Sequence, residues 1–432
     1  MWKFSAGLTL LAWCSALPAM GNEPKAWMVE HIDSLVELYQ QFHAHPELSF
    51  EEEGTANRLA AELRSVGAEV TQNVGGHGIV AILRNGEGPT LMLRTDLDAL
   101  PVVEQTGLPY ASQVRVTDQR GATVGVMHAC GHDVHMTNLV GVARYLSATK
   151  SAWRGTLMMI GQPAEERGEG AKAMLDDGLF RRFPKPDFAI ALHVDAALET
   201  GKVGYRAGYS LANVDSVDIK IHGRGGHGAY PHTTIDPIVI AARLVLDLQT
   251  IVSREVKPIE PSVITVGAIH GGTKHNVIGD TCELQITVRS YSQEVRRQLH
   301  DAIRRKAKAA TDSSGAPGPE VEISEGTPSL WNDPELGERV AQAFRAEIGD
   351  DNVTSAEPSM GGEDFSRYGL AGVPIMMYRL GSVNGDRLAK LSADGATPPS
   401  LHSPFYYPDA KPALMTGCRT MIAAALTVLQ SQ

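Results

Sequence analysis

Thr156-Leu157-Met158-Met159-Ile160-Gly161-Gln162-Pro163-Ala164-Glu165-Glu166 is an apolar run of strand length that stops near a proline and delivers two adjacent carboxylates. The run 156–160 is apolar without alternation, which predicts a strand buried on both faces. Similar runs stand at 79–83, 90–94, 188–192 and 374–378. Val29, Ile32, Leu35, Val36 and Tyr39 recur at helical spacing within a helix predicted over 27–42, and a second helix over 55–66 stops at Gly67. Helical segments separate several of the strands, so the main body reads as α/β, a mostly parallel sheet with helices on both faces. Asp96, the Glu165-Glu166 pair and His193 each follow a predicted strand. Ligands in such sheets bind beyond the carboxyl ends of the strands, so three separate segments bring polar chemistry to one edge.

Residues 214–324 follow another plan. Val217, Ile219 and Ile221 alternate, a helix is predicted over 236–252, and strands over 263–269 and 282–289 flank Gly271-Gly272. A helix over 292–310 and a strand over 320–323 complete a β-α-β-β-α-β order, the ferredoxin-like α+β plan. His402 lies after this block, so the block is expected to interrupt the first unit. The expected organisation is a signal segment 1–21, a first part of the main domain 22–211, an inserted domain 212–325 and a second part 326–432.

The 432 residues carry a net charge of −11 and 43% hydrophobic residues. That balance disfavours a nucleic-acid groove or an anionic membrane as partner and fits an ordinary globular protein. Lys3, an apolar stretch over 4–17 and Ala19-Met20-Gly21 predict a secretory signal cleaved after Gly21. Trp13 is too bulky to precede a lipid-anchored Cys14. No later segment has 18 consecutive apolar residues, so an exported protein, periplasmic or secreted, without a membrane span is expected. Three cysteines then remain, an odd and widely spaced set that is no disulfide framework. Cys418 falls on a helical stripe with Leu414, Met421 and Ile422, and Cys282 alternates with Leu284 and Ile286. Both read as core. Cys130 alone lies outside an apolar pattern.

Cys130-Gly131-His132 sets a thiolate and an imidazole two residues apart, both good ligands for zinc and other late first-row metals. Adjacent carboxylates repel, and a cation on Glu166 would relieve that while leaving Glu165 free beside a metal-bound water as general base. His193 and His402, which opens His402-Ser403-Pro404, extend the donor set. His128 and His135 suit supporting roles better. The string Gly223 to Gly228 fits Gly-x-Gly-x-x-Gly, but Pro231 and the loop after it argue against a dinucleotide site. No Gly-x-Ser-x-Gly occurs, which disfavours a serine hydrolase.

Arg94 to Pro101, Met127 to His135, Gln162 to Glu166, Gly223 to His232, Gly271 to Ile278 and Gly361-Gly362-Glu363-Asp364-Phe365 together resemble the aminoacylase/carboxypeptidase family of dinuclear metallopeptidases. Within it they are similar to the amidohydrolase branch of hippurate hydrolases and auxin–amino acid conjugate hydrolases. The resemblance spans roughly residues 30–430. It implies Cys130, His132, Glu166, His193 and His402 as ligands of two divalent ions, zinc or manganese expected, and Glu165 as general base. It further implies that Asp96 orients a ligand, with His132 its expected partner, and that Arg94 stands where other branches use a histidine. His227 and Asn276 would steady the oxyanion, reaching the partner subunit's site in a homodimer formed through the inserted domain. Arg289 would grip the terminal carboxylate of a small-molecule substrate. The implied reaction is hydrolysis of N-acyl amino acids, hippurate-like, with a carboxypeptidase or dipeptidase as the alternative. Gly279 and Arg167 depart from the family's usual proline and glycine, which bears on substrate preference.

Overall fold

A computed structural model describes residues 23–117, 121–395 and 399–429, so the expected signal segment lies outside the described residues. Helices α1 (Pro24–Ala44) and α2 (Glu53–Ser65) lead into strands β1 (Glu69–Gln72), β2 (Ile79–Asn85) and β3 (Thr90–Asp96). Helix α3 (His132–Ala148) and strands β4 (Gly155–Gln162), β5 (Phe188–Glu199) and β6 (Val203–Tyr205) follow. Next come β7 (Asn213–His222), α4 (Pro237–Thr250), β8 (Ser262–Gly271), β9 (Thr281–Ser290), α5 (Gln293–Asp312) and β10 (Glu320–Glu325). The chain returns through α6 (Pro334–Ile348), β11 (Val353–Ser355), β12 (Ile375–Val383) and α7 (Ala410–Leu429).

The large sheet has the order β1-β2-β4-β3-β5-β12-β6-β11. Its centre is parallel, with β4, β5 and β12 joined through β3 and β5 in one direction. Antiparallel pairs occur on both sides, β1 on β2, β2 on β4 and β6 on β12. Alternation sends each central strand into two cores. Leu91, Leu93, Leu157, Met159 and Ile190 pack with α1, α2, α3 and α7. Met92, Met158, Ile160, Ala189 and Ala191 enter the opposite core with Phe365 and Tyr368. A strand buried on both faces has no polar face to show, which is why these runs read as continuously apolar.

The four-stranded sheet has the order β8-β9-β7-β10, all antiparallel, the ferredoxin-like arrangement. Val217, Ile219, Ile221, Cys282, Leu284 and Ile286 pack on α4 and α5 from one face. Asp236 caps α4, accepting from the N–H of Ile238, and Ser292 caps α5. The fold is thus a mostly parallel α/β domain interrupted by an α+β one. The long helix α7 is apolar enough to cross a membrane, but 67% of that window is buried, against α1, α3 and α6. Cys418 on it and Cys282 on β9 are buried and free, as is Cys130.

Two expectations need adjusting. Strand β5 does not stop at Leu192; pairing with β12 carries it on to Glu199, so His193 lies within the strand. Helix α6 is an addition although Asp333 caps it and Leu336, Val340, Ala341 and Phe344 recur at helical spacing. The edge strands β1 and β11 and the short β6 beside β11 are additions whose pairing is settled by neighbours.

Candidate metal centre and active site

Left-handed backbone at three points places the donors. Gly131 has φ +78°, and a Cβ there would meet Val194 Cγ2 at 2.5 Å. Only glycine meets both constraints, and it turns the chain from Cys130 straight into α3, which begins at His132. Ala164 takes φ +49° without that freedom and starts the short 3-10 turn Glu165–Arg167. Its N–H donates to Oε1 of buried Glu52 at 2.8 Å, which helps hold a conformation that costs about 1–3 kcal/mol. His402, at φ +68°, donates its N–H to the Ala129 carbonyl at 2.9 Å and so ties the last segment to the Cys130 loop.

These turns bring the five expected ligands together. Cys130 Sγ lies 3.5 Å from His193 Nε2, His132 Nε2 lies 3.9 Å from Glu166 Oε1, and His402 Nε2 lies 3.5 Å from that same oxygen. Donor atoms of Cys130, His132 and His193 fall within 4.8 Å of one another, and so do those of Cys130, Glu166 and His402. The imidazole orientations suit ligation. Nδ1 of His132 faces the Asp98 carbonyl at 2.8 Å and Nδ1 of His193 faces the Val194 carbonyl at 2.8 Å. A carbonyl only accepts, so each Nδ1 carries a hydrogen and each Nε2 is turned inward, where its lone pair would meet a cation that displaces any proton there. His132 Nε2 and Glu166 Oε1 are buried without a hydrogen-bond partner. Orphans of this kind cost about 1–3 kcal/mol each, and a divalent cation removes that cost. A thiol, three imidazoles and a carboxylate so arranged could hold two divalent cations.

The electrostatics agree. Burial opposes charge on His132, but Asp96, Asp98 and Glu166 outweigh it and push its pKa up to about 10. Burial pushes Glu166 up to about 7, and burial with Glu166 and Glu165 nearby pushes the Cys130 thiol up. The buried acids thus favour holding protons that a bound cation would displace. Glu165 is nearly buried, its side chain 10% exposed, with an oxygen 4.0 Å from His132 Nε2. Burial, then Glu363, Glu166 and Asp364, hold its carboxyl well above the ordinary range, with Arg94 opposing. A carboxylate in that setting readily accepts and returns a proton.

The ligand-orienting acids differ from expectation. Asp96 Oδ2 is 3.7 Å from His132 Nε2 and hydrogen-bonds instead to Arg94 Nη1 at 2.6 Å, while its Oδ1 accepts from His135 Nδ1 at 2.7 Å. His135 Nε2 in turn accepts the Val194 N–H at 3.0 Å, leaving it no free lone pair. Asp98 does the orienting: its carbonyl holds His132, and its Oδ2 accepts from the Glu166 N–H at 3.0 Å and from Ser49 Oγ at 2.6 Å. The Asp96-Leu97-Asp98 spacing, two acids on one face at period two, was the signal available in sequence. Arg94 is no ligand. It is buried and donates to Asp96, Glu363, Asp364 and Gln162, locking the Glu363-Asp364 turn against the wall behind Glu165.

A cavity of about 580 Å³ opens between the two domains, lined by Cys130, Glu165, Glu166, His193, His402, Ser359 and Gly361 of the main domain and by Val214, Ser216 and Arg289 of the inserted one. Arg289 is half-buried and donates to Thr287 Oγ1 at 3.0 Å and to the Met360 carbonyl at 3.2 Å. His227 and Asn276 do not line this cavity. They are exposed on a small ribbon in which Gly226–His227 pairs with Val277–Ile278, and His227 Nδ1 accepts the Ala229 N–H at 3.0 Å.

The chain matches Peptidase family M20/M25/M40 over residues 92–394 and belongs to that family. It is 36% identical to thermostable carboxypeptidase 1 of Saccharolobus solfataricus over 82% of this chain and 86% of that one. It is 37% identical to N-acetyl-L-cysteine deacetylase of Bacillus subtilis over 77% of each. The structure of the Bacillus subtilis YXEP protein, described as a dinuclear metal binding peptidase of this family, superposes with TM-score 0.77 at 29% identity, covering 93% of this chain and 99% of that one. The protein is a metal-dependent hydrolase of amide bonds, of the deacylase or carboxypeptidase kind.

Proposed function

We propose that the protein hydrolyses the amide bond of N-acyl amino acids of hippurate type, with Glu165 as general base and Cys130, His132, Glu166, His193 and His402 holding two divalent ions, zinc or manganese. The observation that carries the reading is the pairing, on one turn, of a carboxylate aimed into the ligand cluster with one left over beside it, across a cavity from Arg289. Bound there, the cations supply Lewis acidity toward the scissile carbonyl and the attacking water. Glu165 takes the water's proton and returns it to the departing amine. Arg289, with donors left after its two hydrogen bonds, receives the α-carboxylate.

The oxyanion groups come from a second copy of the chain. His227 and Asn276 sit on the surface of the inserted domain, where β8 is an edge strand and Val239 and Leu246 of α4 are exposed. An exposed edge beside apolar side chains favours pairing with a symmetry mate, which would carry the partner subunit's His227 to this cavity. Residues 1–21 support export to the periplasm or beyond. Likeness to a carboxypeptidase keeps short peptides as the second reading.

Glu165→Gln tests the core of this. The variant keeps both metal ions, while kcat falls on the order of 100- to 10,000-fold, the usual contribution of a positioned base. Full turnover in that variant refutes the assignment. A panel of hippurate-like amides and unblocked dipeptides separates the two substrate readings.

A further inference from the structure

Three arginines line the cavity, and they are not equivalent. Arg289 spends two donors on the protein, and Arg167 is exposed at the mouth. Arg379 lies on β12 directly beside His193 of β5 in the parallel register, on the same face, and is half-buried. Its backbone pairs with Gly204 of β6, the neighbouring strand on its other side. Among the described residues its guanidinium has no hydrogen bond and no ion pair. Asp195 and Glu357 share an adjoining 440 Å³ cavity with it, but neither pairs with it: Asp195 Oδ1 accepts the Ala197 N–H at 2.8 Å instead. The buried arginines that serve the fold, Arg94 and Arg296, are instead fully engaged by carboxylates. A guanidinium half withdrawn from water, beside a metal ligand and without a partner, is set up for an anion that arrives from outside.

We propose that Arg379 binds a second carboxylate on the substrate, so that the preferred N-acyl amino acids are dianionic. The inference rests on the reading of the site as an N-acyl amino acid hydrolase, with Arg289 taking the α-carboxylate. Two sources share this chemistry: an acidic amino-acid side chain, or an acyl group that itself ends in a carboxylate. Two carboxylates then fall on two guanidiniums at different walls of one cavity, and the substrate's position relative to Glu165 is fixed at both ends.

The test measures kcat/KM for matched pairs: N-benzoylglutamate against N-benzoylglutamine, and N-succinylalanine against N-acetylalanine, in wild type, Arg379→Ala and Arg379→Lys. Wild type is expected to favour the dianion of at least one pair, and Arg379→Ala to lose that preference on the order of 10- to 100-fold, as for one charged hydrogen-bonded contact. The neutral member should change less than about threefold, and Arg379→Lys should recover part of the preference because the charge remains. Which pair responds names the source. Calorimetry of benzylsuccinate against phenylpropanoate on the same proteins gives a readout independent of turnover, so failure of every amide substrate would sink the hydrolase reading without deciding this one. Equal binding of the two ligands by wild type, or an equal loss of both in Arg379→Ala, overturns the proposal.

Discussion

Replacing Asp98 by alanine should weaken metal binding without touching a ligand. The carboxylate accepts from the Glu166 N–H at 3.0 Å and from Ser49 Oγ at 2.6 Å, and its other oxygen lies 3.3 Å from His132 Nδ1. Burial works against its charge, but the His132 hydrogen bond and charge, with Ser49 and the Glu166 N–H, hold its pKa below the ordinary value, so it is ionised in use. Asp98→Ala leaves the backbone carbonyl on His132 and removes only the carboxylate. The Glu166 N–H is then orphaned, and His132 loses the charge that raises its basicity. One charged hydrogen bond contributes about 1.5–3 kcal/mol, which corresponds to roughly 10- to 100-fold in affinity, the usual effect of removing a group that orients a ligand. Asp98→Asn keeps the shape, loses the charge and should fall between. The assay is competition for metal against a chromophoric chelator, with circular dichroism to confirm folding. A folded Asp98→Ala variant that binds both ions within threefold of wild type refutes the reasoning.

Other substitutions test the frame around the site. Gly131→Ala combines a left-handed residue with a 2.5 Å approach to Val194, so it should lose at least about 1–2 kcal/mol, seen as a lower Tm together with reduced metal content. In the inserted domain, buried Asp215 accepts from Arg296 Nε at 2.8 Å and pairs with His300 at 2.8 Å. Asp215→Ala leaves Arg296 only the exposed Glu325 at 3.4 Å and should cost about 3–5 kcal/mol in a denaturant titration. Burial raises the Asp215 pKa but Arg296 and His300 outweigh it, so the folded value is depressed. Its stabilisation is therefore fully present above the unfolded carboxylate's pKa and lost as pH falls through the folded one. The Tm gap between wild type and the variant should be widest near neutrality and close in strong acid; a gap that widens in acid contradicts the assignment.

Sequence by itself determined the elements whose cause is local. Apolar runs at 79–83, 90–94, 156–160 and 188–192 could be read as central strands because burial on both faces leaves no alternation. Asp236 and Ser292 marked their helix starts through caps formed within three residues. The five donors could be named because thiol, imidazole and carboxylate chemistry is a property of residue type. Only the tertiary structure decided who serves whom. Arg94 meets Glu363 and Asp364 across about 270 positions of chain, and Asp98 rather than Asp96 holds His132. Arg379 stands beside His193 only because β12 pairs with β5. Side-chain partnerships of this kind follow sheet order and register, which are set by the packing of distant segments and leave no periodic trace in the residues themselves.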